Sequence, residues 1–244
     1  VILSENPQTR IVDLTHDIPP HDIEAAAFIL LAACSAFPAG TIHVAVVDPG
    51  VGSSRRAILI QTPEGFFVGP DNGIFSYVYD SSVNAGMSPE VFHLTNTKFF
   101  RHPVSLTFNG RDVFAPVAAA LSHGVKPTTL GTKTPDLVRL PSLKPETSQD
   151  GRITGRIIHI DRFGNCVTNI SQDELTAQMI AAGATLSIKR KLVKSFRTHF
   201  AEETDSRDTV FGVWGSAGFL EIAVANDSAA KLLNVKREDS VIVN

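Results

Sequence analysis

A change of pattern near residue 141 constrains this 244-residue chain more than any other feature. Before it, apolar runs of strand length alternate with stripes of helical spacing. Beyond residue 150 nearly every apolar run is strand-length and bounded by turn residues. One layered architecture cannot span that switch, because helices that cover a sheet must be interleaved with its strands. The polar, Pro-containing PSLKPETSQDG lies at the switch and reads as a linker over 142–150. Two domains are expected, 1–141 and 151–244.

In the first, RIVDLTH reads as a short strand. PPHDIEAAAFILLAACSAF reads as a helix with Ile23, Ala27, Leu30, Leu31 and Cys34 on one face. GTIHVAVVD is apolar almost throughout, as a central strand buried on both sides would be. RAILIQT and GFFVGP predict a hairpin around Pro63–Gly65. DNGIFSYVYD starts a helix with Asp71 or Asn72 as its cap, and GRDVFAPVAAALSHG is a helix closed by Gly124. This alternation predicts an α/β domain with a mostly parallel sheet.

In the second, RITGRIIHIDR, NCVTNI, ATLSIKRKLVKSF, VFGVWG, FLEIAV and DSVIVN read as strands. Two short helices interrupt them, SQDELTAQMIAAG with a capping box from Ser171 to Glu174, and DSAAKLLN. Short strands at regular spacing predict a small β-barrel or sandwich.

Hydrophobic content of 43% and charged content of 19% exclude disorder. A net charge of −3 with no basic block argues against a nucleic-acid surface. Cys34 and Cys166 have no metal-ligand spacing, so two free thiols in a reducing cytoplasm are expected, with no metal site. AAAFILLAACSAF is too short and too rich in alanine to cross a bilayer, and the opening VILSENPQTRIVDL shows no secretory leader.

The stretch VDPGVGSSRRAIL (47–59) has the glycines of a phosphate cradle. It lacks the Gly-Lys-Ser/Thr ending, and a strand follows it instead of a helix. A plain glycine turn with exposed arginines fits the local pattern as well. Against that, Asp48 ends a buried strand, where open α/β sheets place ligand-binding residues. FVGPDNGIF (67–75) and SLTFNGRDVFAPVAAA (105–120) read locally as a capped turn and as a capped helix with a surface ion pair at Arg111–Asp112. HIDRFGNCVTNI (159–170) sets Asp161, Asn165 and Asn169 among apolar strand residues, where buried polar groups need partners. GSAGFLEIAV (215–224) offers Ser216 between small residues and Glu221 in an apolar strand, which an outward-facing position would also explain.

Taken in order, DLTHDIPPHDIEAAAF, GTIHVAVVDPGVGSSRRAI, FVGPDNGIFSYV, TFNGRDVFAPVAA, IDRFGNCVTNI and GSAGFLEIAV resemble the S-adenosylmethionine hydrolase (adenosine-forming) family. It is also called the S-adenosylmethionine hydroxide adenosyltransferase family, and is related to the fluorinases and chlorinases that make 5′-halo-adenosines. The resemblance runs along the whole chain. It implies an N-terminal α/β domain, a C-terminal β-barrel, and a homotrimer with substrate held between neighbouring subunits. It implies hydrolysis of S-adenosyl-L-methionine by water at C5′ to adenosine and L-methionine, with no cofactor. By motif match Asp48 and Arg55 belong to an Asp–Arg–His triad that positions the water. TFNGRD puts Asn109 where the family has His, so the expected enzyme is slow. Asp161 and Asn165 match residues at the methionine amine and the adenine edge. Ser216 and Glu221 match residues lining the methionine and adenine side, Val224 lies where the family's backbone approaches the base, and Phe200 matches an aromatic that packs on adenine. His21 stands where halide-using relatives have Trp, and Asp48 where they have Tyr, which implies water over halide. The family's opening strand, with a TDFG-like motif whose Asp grips the ribose, has no counterpart here, so the N-terminal domain is expected to lack its first strand. The competing readings are a catalytically weak binder of adenosine or S-adenosylmethionine, and a halide adenosyltransferase.

Overall fold

A computed structural model describes residues 1–202 and 209–244, and the chain falls into two units, Val1–Pro141 and Ser142–Asn244. In the first, α1 (Ile2–Glu5) and α2 (Ile23–Cys34) precede β1 (Thr41–Val44), β2 (Ala57–Gln61) and β3 (Gly65–Pro70). Then come α3 (Ser76–Asn84), β4 (Glu90–Leu94), a 3-10 turn (Thr97–Phe99), a π-helical turn (Gly110–Phe114), α4 (Ala115–Ser122), α5 (Pro127–Leu130) and β5 (Gly131–Thr134).

The five strands form one sheet in the order β1-β3-β2-β4-β5. Successive side chains of a strand point to opposite faces, and both faces here are covered. Ile58, Ile60 and Phe67 pack with Ala26 and Leu30 of α2 and Val78 of α3. Leu59, Val68 and Phe92 pack with Phe114, Val117 and Leu121 on the other side. Helix α2 begins where the Asp22 carboxylate accepts from the Ala25 N–H (3.0 Å). Its buried alanines, Ala25 to Ala27, let it lie close to the sheet, while Ile23, Leu31 and Cys34 are only partly covered.

The α/β layering matches expectation, but the sheet is not mostly parallel. Only β1 and β3 run parallel; β2–β3, β2–β4 and β4–β5 are antiparallel. The predicted hairpin is the reason, since the short turn after Gln61 cannot carry a crossover and forces β2 and β3 to run oppositely. Strand β1 lies at the sheet's edge instead of its centre, with His43 buried and Val44 exposed. RIVDLTH forms no strand, and its Ile11, Val12 and Leu14 are exposed. β-propensity alone does not make a strand without a neighbour to pair with. Nor do Asp71 and Asn72 cap α3, whose N-cap is Phe75 without a side-chain bond.

The second unit comprises β6 (Glu146–Thr147), β7 (Ile153–Ile160), β8 (Cys166–Ser171), α6 (Ala177–Ala181), β9 (Leu186–Ile188), β10 (Lys191–Val193) and β11 (Ser195–Arg197). It continues with β12 (Val210–Trp214), β13 (Phe219–Val224), α7 (Ala229–Leu233) and β14 (Ser240–Val243). The sheet order is β10-β9-β14-β7-β8-β13-β12-β11, with β6 on β7. β10 also approaches β12, so the sheet curls toward a barrel around Ile157, Ile170, Leu186, Ile188, Leu220, Ile222 and Val241. ATLSIKRKLVKSF is not one strand. Lys189, at φ +50°, turns β9 back as β10, and β11 follows separately. The Ser171–Glu174 box forms, with the Glu174 carboxylate accepting from Ser171 N–H (2.9 Å), yet it closes a turn; α6 starts later, capped by Thr176.

Candidate active site

Past β1 the chain stays extended, with Ala45 N–H bonded to Val68 C=O (3.2 Å), and reaches Asp48. There the turn closes tightly. Val51 N–H donates to Asp48 C=O (3.2 Å), and Ser53 donates to Gly50 C=O through its N–H (3.1 Å) and its hydroxyl (2.7 Å). Gly52 sits at φ +82°, and a Cβ there would stand 2.6 Å from the Leu106 carbonyl oxygen. Only glycine fits on both counts.

The turn folds Arg55 back onto Asp48. The Arg55 Nε–H lies 2.9 Å from each carboxylate oxygen, and Nη2 makes a close ion pair with Oδ2. The same Nη2 donates to Asn109 Oδ1 (2.7 Å), Nη1 donates to Arg56 C=O (3.2 Å), and the guanidinium lies 5.3 Å from the centre of the Phe114 ring. Both charged side chains are nearly covered, 6% exposed for Asp48 and 11% for Arg55. A forked, charge-assisted pair with so little water around it has one geometry. Asn109 N-caps the π-helical turn by position but not by side chain. Its Nδ2 donates instead to Ser105 C=O (2.9 Å), so one end of the amide holds the loop and the other holds Arg55. The expected surface ion pair beside it is half wrong. Asp112 is fully buried, and the Arg111 guanidinium together with the Ser105 N–H hold its carboxyl down to about 2.

His21 stands in the turn before α2 at φ +67°, exposed. In the second unit, Asp161 and Asn165 are together. Asp161 Oδ1 accepts from the N–H groups of Phe163 (2.9 Å) and Asn165 (2.8 Å), and Oδ2 accepts from Asn165 Nδ2 (2.9 Å). The side chain of Glu221, on β13, makes no hydrogen bond or ion pair among the described residues. Burial first, and the Asp161 charge second, push its carboxyl up. Its Oε1 lies against Gly215, where any Cβ would overlap it. Ser216 is exposed in the β12–β13 turn and Val224 ends β13. Phe200 is exposed, its ring edge-on to Phe211 at 6.4 Å. Asn169, also singled out by pattern, is a structural bond: its Oδ1 accepts from Arg156 N–H (2.6 Å).

The sequence reading missed that Arg56, Asp71 and Asn72 belong with the 48–55 turn. Asp71 accepts from Arg56 Nε (2.8 Å), and Asn72 Nδ2 donates to Val47 C=O (2.8 Å). The signal was there, as two polar side chains between apolar flanks in PDNG. Chemically, the first cluster presents a carboxylate with fixed oxygens that can accept hydrogens from a bound water. The second presents two acidic groups and an amide suited to a cationic or amide-bearing ligand. Among the described residues no group of three or more His, Cys, Asp or Glu could hold a metal ion.

Family models described as the SAM hydroxide adenosyltransferase N-terminal and C-terminal domains match residues 1–131 and 155–242. An (R)-S-adenosyl-L-methionine hydrolase of Methanocaldococcus jannaschii is 35% identical over 253 residues, covering 99% of this chain and 85% of that protein. One of Salinispora arenicola is 38% identical over 245 residues, covering 97% of this chain and 87% of the relative. The crystal structure of an uncharacterized conserved protein from Thermotoga maritima superposes with a TM-score of 0.87 at 32% identity, covering 99% of this chain and 91% of that one. The chain belongs to the SAM hydroxide adenosyltransferase family.

Proposed function

We infer that the protein is an enzyme that hydrolyses S-adenosyl-L-methionine at C5′ to adenosine and L-methionine. Family membership supplies the reaction. The observation that supports its water chemistry here is the Asp48–Arg55 fork with Asn109 on the same guanidinium. Water attacks C5′, the new O–C5′ bond forms as the C5′–S bond breaks, and the sulfonium leaves as a neutral thioether. The leaving group needs no general acid, and one proton is released from the attacking water. The site must therefore supply a placed water and in-line geometry. In this reading Asp48 holds the water by its hydrogens, Arg55 fixes Asp48, and Asn109 fixes Arg55. A carboxylate at the attacking face also repels chloride or fluoride, which favours water.

Asp161, Asn165, Ser216, Glu221, Val224 and Phe200 are proposed to receive the methionine and adenine parts, with His21 near the reacting end. Asp161 and Glu221 suit the ammonium and sulfonium charges by sign. No cofactor takes part, because the sulfonium already activates C5′. The proposed assembly is a homotrimer in which neighbouring subunits share one substrate, and the proposed location is the cytoplasm, consistent with two free cysteines. No helix among the described residues is long and apolar enough to cross a membrane.

The test is incubation with S-adenosylmethionine in ¹⁸O-water, with and without chloride, and mass analysis of the products. Adenosine labelled at O5′, plus methionine, is expected at a rate indifferent to chloride. Absence of adenosine, or 5′-chloro-adenosine as the main product, overturns the assignment. Light scattering tests the trimer, and a monomer at full activity removes it.

A further inference from the structure

The PDNG stretch that the helix-capping rule failed to explain grips both ends of the turn carrying Asp48 and Arg55. Six residues separate those two, so the fork is only as fixed as the chain entering at Val47 and leaving at Arg56. On the entry side, Asn72 Nδ2 donates to Val47 C=O (2.8 Å). The amide cannot flip, because its Oδ1 accepts from Ile74 N–H (3.2 Å). On the exit side, Asp71 N–H donates to Arg56 C=O (3.0 Å), the same carbonyl that receives Arg55 Nη1 (3.2 Å). The Asp71 carboxylate then holds the Arg56 side chain through Nε (2.8 Å), and Val138 N–H donates to its other oxygen (2.8 Å). Its side chain is 1% exposed. A turn between strands needs only its glycines and proline. A fully buried carboxylate costs solvation unless paired, so its use here calls for a reason beyond closing a loop.

We propose that Asp71 and Asn72 are positioning residues that set the Asp48–Arg55 fork, Asn72 fixing the carbonyl before Asp48 and Asp71 fixing the residue after Arg55. The inference rests on the proposed role of Asp48 and Arg55 in placing water. A displacement on the order of 1 Å in such a site costs about 100-fold in rate, while substrate contacts made elsewhere keep their strength. The clamp therefore acts on kcat and leaves adenosine affinity alone.

The test compares N72D, isosteric and still able to accept from Ile74, with D71N, which keeps the shape and loses the charge facing Arg56. N96D is the control. Asn96 makes a similar pair of bonds, Nδ2 to Thr129 C=O (2.7 Å) and Oδ1 from Lys98 N–H (3.3 Å), in a turn with no bond to residues 47–56. The readouts are kcat and KM, adenosine affinity by calorimetry, and the Arg55 Nε–H resonance in deuterated protein, assigned by its loss in R55K. N72D and D71N should lose at least tenfold in kcat, hold their adenosine affinity, and shift or broaden the Arg55 resonance. N96D should melt earlier with unchanged kcat and an unmoved resonance. A wild-type kcat and resonance in both N72D and D71N would overturn the clamp, and so would a kcat loss in N96D as large as theirs. If N72D does not fold, N72S and D71N carry the comparison. If the wild-type protein turns over no S-adenosylmethionine, the proposed function falls, and the Arg55 resonance alone decides the clamp.

Discussion

Replacing Asn109 by His should make the protein a faster enzyme, and the size of the gain follows from two contacts. The amide spends its donor on Ser105 C=O (2.9 Å) and its acceptor on Arg55 Nη2 (2.7 Å), leaving nothing to take a proton from water. An imidazole in its place can keep the first contact by donating Nδ1–H to Ser105, which leaves Nε2 as the acceptor facing the site. The cost is the Arg55 contact, about 1.5–3 kcal/mol for a hydrogen bond to a charged group. Arg55 retains its bonds to Asp48, so the fork survives. The gain is a placed general base, typically about 10²–10⁴-fold, or roughly 3–5 kcal/mol of barrier. Gain exceeds cost, so kcat for adenosine release should rise at least tenfold with KM little changed. The guanidinium beside the new imidazole favours its neutral form. The His form should therefore lose activity as pH falls through and below about 6.5, a limb the Asn form lacks. Chromatographic assay of both forms from pH 5 to 9 measures this. An unchanged or lower kcat with an unchanged profile would show that Asp48 alone handles the water and that position 109 only props Arg55.

Two predictions concern titrating groups. His43 is buried, stacked on Phe67 (4.9 Å) and edge-on to Phe37 (5.6 Å), and burial pushes its imidazole below the ordinary 6.5. The unfolded chain then binds the proton more readily, so stability is whole above pH 6.5 and falls as pH drops below it; H43F should flatten that slope in thermal melts, and a persisting slope would place it elsewhere. Glu221 is raised above the ordinary 4.5 by burial and by Asp161, so its charge opposes folding at neutral pH. E221Q should melt later than wild type at pH 7, with the difference vanishing below about pH 4.5, and should bind S-adenosylmethionine more weakly while binding adenosine nearly as before; equal melting at pH 7 would mean that the carboxylate is not strained there.

Helix α2, the β2–β3 hairpin and the strand-rich second unit were legible because each is written in local periodicity. The edge position of β1 and the antiparallel majority of the sheet were not, since strand pairing depends on partners far along the chain. The Asp48–Arg55–Asn109 cluster came from the family's motifs; spacing alone left Asp48 and Arg55 as one option among three. Capping is where local reasoning failed, once at the Ser171–Glu174 box, which closes a turn, and at three residues together beside the 48–55 turn. Asp71, Asn72 and Asn109 each stand before a helix, where such residues ordinarily satisfy free N–H groups for about 1 kcal/mol. Neither α3 nor the π-helical turn has a side-chain cap. All three side chains turn to residues 47–56 instead, Asp71 to Arg56, Asn72 to Val47 and Asn109 to Arg55. Hydrogen bonds to a charged partner are worth about 1.5–3 kcal/mol, so for Asp71 and Asn109 the guanidinium outbids the helix end. Asn72 has no such advantage, because the Val47 carbonyl is neutral. Its bond forms where Asp71 and Ile74 already fix the turn. A sequence that gives up two helix caps beside one buried ion pair has its local rules overridden there, and such breaks cluster where a site must be held to one geometry.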